Sequence, residues 1–545
     1  MAKRLSIGEY LLDQLYRRGV EHMFGVPGDY VLGFYGCIAR SKVRCIGTTR
    51  EDAAGFAADA YARLKGLGAA VVTYCVGGLN IANPIAGAYA EKSPVVVISG
   101  APGMKERRRD PLLHHKIRHF DTQRRIYEQI TVASAALEDP LLAYHEIDRV
   151  LDAVQRYRRP GYIELPRDMV DVVYPHHTTA ATLEDITDPE ALADCIAETA
   201  EFLNRAKQVV VLAGVEMHRF GLRDELVQLI KKTNYPVAAT LLGKSVIDEE
   251  HPLYLGVYEG AMGQPSIQRF VEQADCVLML GSTMNDIDMG VHTANLDPGK
   301  VICANSDRII VRRHNYVDVP LRSFTKALLA APLKRRAMPA MPKPSVPWGT
   351  PPPDGAAVTV AGLFRAVNEF LTEDMIVICD IGDSCFGAAD LVMRGRTNFL
   401  SSAYYASMGF AMPAAVGSQF VDCRLRPVVL VGDGAFQMTG MELSTAAKYG
   451  LTPIVIVLNN HGYGTERQIF DGPFNDVHLW DFAKVPQVLG HGKGFSVKTM
   501  GELRAALSAS LECRDCFCIL DVDLDPYDIS PALKRLGEGL GRQLK

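Results

Sequence analysis

Hydrophobic residues in this chain gather in short unbroken runs, not in alternating or heptad patterns. The runs are Ala69-Ala-Val-Val-Thr-Tyr-Cys-Val76, Pro94-Val-Val-Val-Ile-Ser99, Gln208-Val-Val-Val-Leu-Ala213, Cys276-Val-Leu-Met-Leu280, Met375-Ile-Val-Ile-Cys379, Pro427-Val-Val-Leu-Val431 and Pro453-Ile-Val-Ile-Val-Leu458. Their length and β-branched content suit strands buried on both faces, and the intervening segments carry helical spacing. The pattern predicts an α/β protein built from open, mainly parallel sheets covered by helices on both sides. Such sheets bind ligands beyond the carboxyl ends of their strands, so chemistry is sought there.

Two segments interrupt this alternation. Residues 174–190 are polar and lack an apolar repeat, and residues 334–355 hold seven prolines among basic residues, a composition that resists helix and central strand alike. They divide the 545 residues into three expected domains, 1–173, 190–333 and 356–530, the second and third joined by the Pro-rich linker 334–355. That length is too great for one core.

Composition narrows the function classes. Hydrophobic residues make up 48% and charged residues 22%, the balance of an ordinary globular protein. The 63 acidic and 58 basic side chains leave a formal charge of −5, which gives no reason to expect nucleic acid or an anionic membrane as partner. No run approaches the roughly 18 apolar residues of a membrane span, and no apolar stretch follows Lys3-Arg4, so a cytoplasmic protein without a signal peptide is expected. The cysteines lie within core-like segments. Cys513-Arg-Asp-Cys516 has no second pair or shaped turn to make it a zinc or redox motif, so Cys513, Cys516 and Cys518 are expected to be small buried hydrophobes, the last two on one face of a strand.

The most specific chemistry follows the run Pro427–Val431. Gly432-Asp433-Gly434 comes next, then a helix marked by Phe436, Gly440, Leu443 and Ala447 and stopped by Gly450, then the strand Pro453–Leu458 and Asn459-Asn460. One helix and one strand fill the gap, so a right-handed crossover brings Asp433 and Asn460 to the same sheet end. A carboxylate and an amide oxygen are hard ligands suited to Mg2+, which completes its shell with phosphate and water. The glycines admit phosphate oxygens to the backbone, and the helix start supplies N–H donors.

This pattern, continued by Asn459-Asn-His-Gly-Tyr-Gly-Thr-Glu-Arg-Gln-Ile-Phe-Asp-Gly-Pro-Phe-Asn475, resembles the pyruvate and indolepyruvate decarboxylase family of thiamine-diphosphate enzymes, from about Leu5 to about Tyr527. The resemblance implies a pyrimidine-binding, a central and a diphosphate-binding domain in that order. It implies thiamine diphosphate and Mg2+ as cofactors, the metal held by Asp433, Asn460 and the carbonyl of Gly462, with Gly432, Gly434 and Ala435 against the diphosphate. It also implies a homodimer or homotetramer, the cofactor lying between the first domain of one subunit and the third of another.

The same resemblance assigns the catalytic set. Bound thiamine diphosphate acts as carbon nucleophile and electron sink once a glutamate activates its pyrimidine. Glu51, in Thr48-Thr-Arg-Glu51-Asp-Ala-Ala-Gly-Phe, matches that position, although Thr48-x-x-Glu51 also spells a helix capping box. Met408 matches the apolar side chain under the bent cofactor, against a plain core role. Aldehyde release needs titratable groups near the reacting carbon, and His114, His115, Asp29 and Glu466 match them. Asp383 and Ser384, after another strand, are expected to hold the cofactor.

Cys385 stands where pyruvate-preferring members carry Trp, and with Thr465 and Ile469 it is expected to line a roomier pocket. The expected reaction is decarboxylation of an aromatic 2-oxo acid, phenylpyruvate or indole-3-pyruvate, to the aldehyde and CO2. Pyruvate decarboxylation, an acetolactate-synthase-like carboligase and a non-catalytic cofactor-binding regulator are the alternatives. A dinucleotide dehydrogenase lacks its glycine fingerprint here.

Overall fold

The computed structural model describes residues 4–174, 186–342, 348–395 and 397–543. Residues 175–185 of the first expected linker and 343–347 of the Pro-rich one lie outside the described residues. No described helix is long and apolar enough to cross a membrane.

Three open sheets form. The first holds β1 (His22–Gly25), β2 (Arg44–Gly47), β3 (Gly68–Val72), β4 (Val95–Ala101), β5 (Ala133–Ala136) and β6 (Gly161–Pro166), in the order β2-β1-β3-β4-β6-β5, all parallel. The second holds β7 (Val209–Ala213), β8 (Val237–Ala239), β9 (Tyr254–Val257), β10 (Cys276–Leu280), β11 (Val301–Ala304), β12 (Ile309–Val311) and β13 (His314–Tyr316), in the order β13-β12-β11-β10-β7-β8-β9. Its β11–β12 and β12–β13 pairs are antiparallel and the rest parallel. The third holds β14 (Met375–Cys379), β15 (Phe399–Ser401), β16 (Arg426–Gly432), β17 (Ile454–Asn459), β18 (Lys493–Val497) and β19 (Cys518–Asp523), in the order β15-β14-β16-β17-β19-β18, all parallel. Strands β3, β4, β7, β10, β14 and β17 are buried along their whole length, which is why their sequences are largely apolar; β6 is equally buried but carries Glu164.

Three local expectations are corrected. The run 69–76 is not one strand: β3 stops at Val72, Cys75 takes φ 52°, and Val76 opens the short helix Val76–Asn80. The Cys75 N–H is drawn off the ladder by the buried Gln123 Oε1 at 2.6 Å. The helix expected after Gly434 starts at Asp433 and comes in three pieces, Asp433–Thr439, a 3-10 turn Gly440–Glu442, and Leu443–Tyr449, before Gly450 ends it at φ +65° as its position predicts. Cys516 lies outside β19, in the turn before it.

The chain gathers into two compact units. One comprises residues 1–184, 405–424 and 439–451; the other comprises 185–404, 425–438 and 452–545. In the first, small residues let helices approach closely. A Cβ on Gly417 of helix Ala411–Gln419 would fall 2.1 Å from the Ala57 carbonyl of helix Glu51–Lys65. The same contact buries an ionic triad. Arg63 donates to Asp59 and to Glu91, all nearly inaccessible, stacks over the Phe410 ring, and leaves Glu91 Oε1 to accept the Tyr405 N–H. A buried guanidinium is tolerated only with such full pairing.

In the second unit the central and third sheets belong together. Lys244 pairs with Glu249 at 2.7 Å with both side chains buried, and also donates to the Leu391 carbonyl.

Candidate active site

In the first sheet the strand order reverses between β1 and β3, the point at which open α/β sheets bind ligands. Three of the expected residues follow strands at or beside that point. Asp29 comes after β1 through the turn Gly25-Val-Pro-Gly28. Its glycines are sterically required: a Cβ on Gly25 would sit 2.1 Å from the Val71 carbonyl, and one on Gly28 2.5 Å from Thr73. His114 and His115 come after β4, in the irregular stretch that precedes helix Thr122–Ile130.

The structure brings these three together. His114 Nε2 lies 2.6 Å from Asp29 Oδ2, and His115 Nε2 lies 3.8 Å from Asp29 Oδ1. The imidazoles meet edge to face at 4.8 Å. His115 is held at φ 65°. Two residues that carry no motif complete the cluster. Tyr30 stacks on His114 at 4.8 Å with its hydroxyl 3.4 Å from Nδ1, and Arg167 lies 5.1 Å over the Tyr30 ring. Burial, and the Asp29 carboxylate after it, raise the Tyr30 phenol above its ordinary range, so it stays a neutral donor.

Glu51 begins helix Glu51–Lys65 after β2. The capping-box alternative does not form: the N-cap is Arg50, without a side-chain cap, and Thr48 Oγ1 donates to the Arg50 carbonyl. Glu51 Oε2 accepts the side-chain amide of Asn80 at 2.7 Å, while Oε1 faces Gly77, where a Cβ would stand 3.4 Å away. Met408 is half-buried in the turn before helix Ala411–Gln419, outside the core of this unit.

The third sheet reverses between β14 and β16, and the cofactor motif lies there. Residue Gly432 of β16 pairs with Leu458 of β17, so Asp433 and Asn460 do stand at one sheet end. Asp433 is buried and accepts the N–H groups of Gly434 at 2.7 Å and Gly462 at 2.9 Å. Burial pushes its carboxyl up to about 6 against those donors. A carboxylate so desolvated gains most from a divalent cation, and beside it a Cβ on Gly432 would meet only open space. Gly434 is needed because Tyr463 packs against it, 2.5 Å from a built Cβ. Gly462 needs its freedom too, at φ +149° with a Cβ position 2.1 Å from the Asn475 carbonyl. Its N–H meets Asp433, and its carbonyl accepts the Gly464 N–H at 3.0 Å. The residue types therefore fit Mg2+ and a diphosphate.

The loop is braced by Arg467, which sequence motifs miss. Its guanidinium donates to the carbonyls of Asn460 and His461 and to Asp476. Glu466 lies on helix Gly464–Ile469 and is exposed, Thr465 is half-buried, and Ile469 is 77% exposed. Phe470 and Phe474, also exposed, stack with parallel rings at 6.0 Å.

After β14, Asp383 is half-buried, and desolvation of its carboxyl raises it to about 6; Oδ2 accepts the Ser530 N–H at 2.7 Å and the buried Oδ1 has no partner. The Ser384 hydroxyl is committed to the Asp380 carbonyl. Cys385 is fully buried among the core residues of the third sheet. The short helix Asp383–Ala388 turns that position inward against the sheet.

Comparison with known proteins bears on all three sheets. Residues 5–124 match the thiamine pyrophosphate enzyme N-terminal TPP binding domain, 196–331 the central domain, and 380–522 the C-terminal TPP binding domain. The chain is 37% identical to an indole-3-pyruvate decarboxylase of Azospirillum brasilense over 99% of both proteins. It is 36% identical to an alpha-keto-acid decarboxylase of Mycolicibacterium paratuberculosis, and 35% identical to one of Mycobacterium tuberculosis, each over 97% of this chain and 96% of the relative.

Proposed function

This chain belongs to the thiamine-diphosphate-dependent 2-oxo acid decarboxylases, and on that premise we propose that it converts an aromatic 2-oxo acid, phenylpyruvate or indole-3-pyruvate, to the aldehyde and CO2 with Mg2+ as second cofactor. Bound thiamine diphosphate supplies the carbon nucleophile and the electron sink for loss of CO2. The chain's residues bind, orient and move protons. Asp433, Asn460 and Gly462 would hold the metal, and Gly432, Gly434 and Ala435 the diphosphate. Glu51 would exchange a proton with the pyrimidine through the oxygen that Asn80 leaves unoccupied. Asp383, Ser384 and Met408 complete the cofactor's surroundings in this reading.

The observation that carries the proposal is the contact between Asp29 and His114, with His115 beside them. Replacing a carboxylate by hydrogen requires one proton at the reacting carbon, and three titratable groups in mutual contact can hold and relay it. Glu466 would serve as the fourth. The aromatic preference rests on the Azospirillum brasilense relative and on the apolar Ile469, adjoining Thr465 and Glu466 on one short helix. Family resemblance supports a homodimer or homotetramer.

The test adds Mg2+ and thiamine diphosphate to the purified protein and follows aldehyde with a coupled alcohol dehydrogenase. Aldehyde from phenylpyruvate or indole-3-pyruvate, dependent on both additions, is the expected result. Aldehyde from pyruvate alone would overturn the aromatic preference. Absence of aldehyde from all three would overturn the proposal.

A further inference from the structure

At the opposite end of the third sheet from Asp433, the turn between helix Met500–Glu512 and β19 gathers three thiols and a carboxylate. Cys513 Sγ lies 3.2 Å from Cys516 Sγ and 3.4 Å from Asp515 Oδ1. The ligand atoms of Cys513, Asp515 and Cys516 all fall within 4.8 Å of one another. Cys518, the first residue of β19, approaches Cys513 from the strand side. The cysteines are buried and Asp515 is exposed, which leaves an entry from solvent.

A second observation is polar: the buried side chains of Arg426 and Ser510 face the Cys518 thiol. The other guanidinium donors of Arg426 are committed to the carbonyls of Thr452, Ser510 and Leu511. The exposed Lys493 faces Cys513. A buried guanidinium turned to a sulfur is a better partner for a thiolate than for a neutral thiol, and thiolates accept such donors in metal sites.

We propose that Cys513, Cys516 and Cys518, with Asp515, form a binding site for a thiophilic divalent cation, Zn2+ by its chemistry. Cys513, Asp515 and Cys516 already lie in mutual reach, and Cys518 would complete a four-ligand shell closed to substrate, as in structural zinc sites. Binding displaces the thiol protons to solvent and forms metal–sulfur bonds, with no change of oxidation state. Geometry favours the ion over a Cys513–Cys516 disulfide. Thiolates about 2.3 Å from a tetrahedral zinc stand about 3.8 Å apart, so the pair opens by about half an ångström. A disulfide of about 2.0 Å would require it to close by more than an ångström. The charges of Arg426 and Lys493 offset the anionic shell.

The test uses the full-length protein loaded with its cofactors and kept reduced, titrated with Cd2+ as a spectroscopic probe and with Zn2+ as competitor. The expected result is a thiolate-to-cadmium charge-transfer band that saturates at one ion per chain, is displaced by Zn2+, and is lost in Cys513→Ser. Absence of the band, or its persistence in Cys513→Ser, would overturn the site. So would its loss in Cys423→Ser, which removes an exposed thiol remote in sequence. Where Cys513→Ser fails to fold, alkylation of the wild-type protein is read by mass spectrometry. Zn2+ is expected to slow labelling of Cys513 and Cys516 about 10-fold or more, the thiolates being masked. Equal labelling with and without Zn2+, or a Cys513–Cys516 disulfide in its place, would overturn the proposal.

Discussion

Asn80 donates its side-chain amide to Glu51 Oε2 at 2.7 Å, joining the short helix after β3 to the first residue of the helix after β2. The bond occupies one carboxylate oxygen and restrains the side-chain rotamer, so in the proposed role only the other oxygen would meet the cofactor. A hydrogen bond to a charged group contributes about 1.5–3 kcal/mol. Asn80→Ala is therefore expected to lower kcat by roughly 10- to 100-fold while the affinity for thiamine diphosphate changes only a few-fold. Steady-state kinetics beside a cofactor titration checks the split. Turnover within twofold of wild type would remove Asn80 from any positioning role.

Asp433 is the acceptor of two backbone N–H groups as well as the proposed metal ligand. Asp433→Asn keeps an acceptor in place and removes the charge, which separates the two roles. It is expected to purify without cofactor and to bind Mg2+ more than about 100-fold more weakly, beyond what outer-shell changes cause. Chelation of the wild-type protein should release thiamine diphosphate in parallel. Full cofactor occupancy in Asp433→Asn would count against the metal assignment.

Much of this arrangement was legible because the sheet imposes it. Continuous apolar runs could only be strands of a covered parallel sheet, and once Gly432-Asp433-Gly434 and Asn459-Asn460 were separated by one helix and one strand, their convergence followed. Asn80, Tyr30 and Arg467 were not legible. Each acts through a contact between segments distant in sequence or through a loop conformation, and a lone Asn, Tyr or Arg has no pattern. The turn at Cys75 escaped for a similar reason, because its left-handed backbone depends on Gln123, which is remote in the chain. Cys516 was misplaced by period-2 counting, which carried β19 back through it and hid the approach of Cys513 and Cys516 at one turn, although the three cysteines are buried as expected.

Family resemblance expects Cys385 in the substrate pocket, and the helix Asp383–Ala388 buries it against the sheet, where it has no accessible surface. Cys385→Trp is accordingly expected to act on stability before specificity, since overpacking a closed core costs about 1–3 kcal/mol. A lower thermal midpoint with an unchanged ratio of phenylpyruvate to pyruvate turnover is the expected outcome. A shift toward pyruvate at unchanged stability would return the position to the pocket.

The second unit also carries buried carboxyls that no assigned chemistry uses. Burial pushes Glu259 up to about 8, the carboxylates of Asp288 and Asp390 adding to the rise, and burial pushes Asp288 up to about 7. Both lie above their unfolded values, so the folded chain binds more protons than the unfolded one across the interval. Their stabilising contribution is thus complete in acid, below the unfolded carboxyl range, and is lost as pH rises through about 7 for Asp288 and about 8 for Glu259. Each group can change stability by at most about 1.4 kcal/mol per pH unit. The thermal midpoint is expected to fall between about pH 6 and about pH 8.5, and Glu259→Gln, which carries no charge to bury, should flatten that fall. Unfolding curves at the two pH values decide it: an equal slope in the variant would mean that Glu259 does not titrate in this interval.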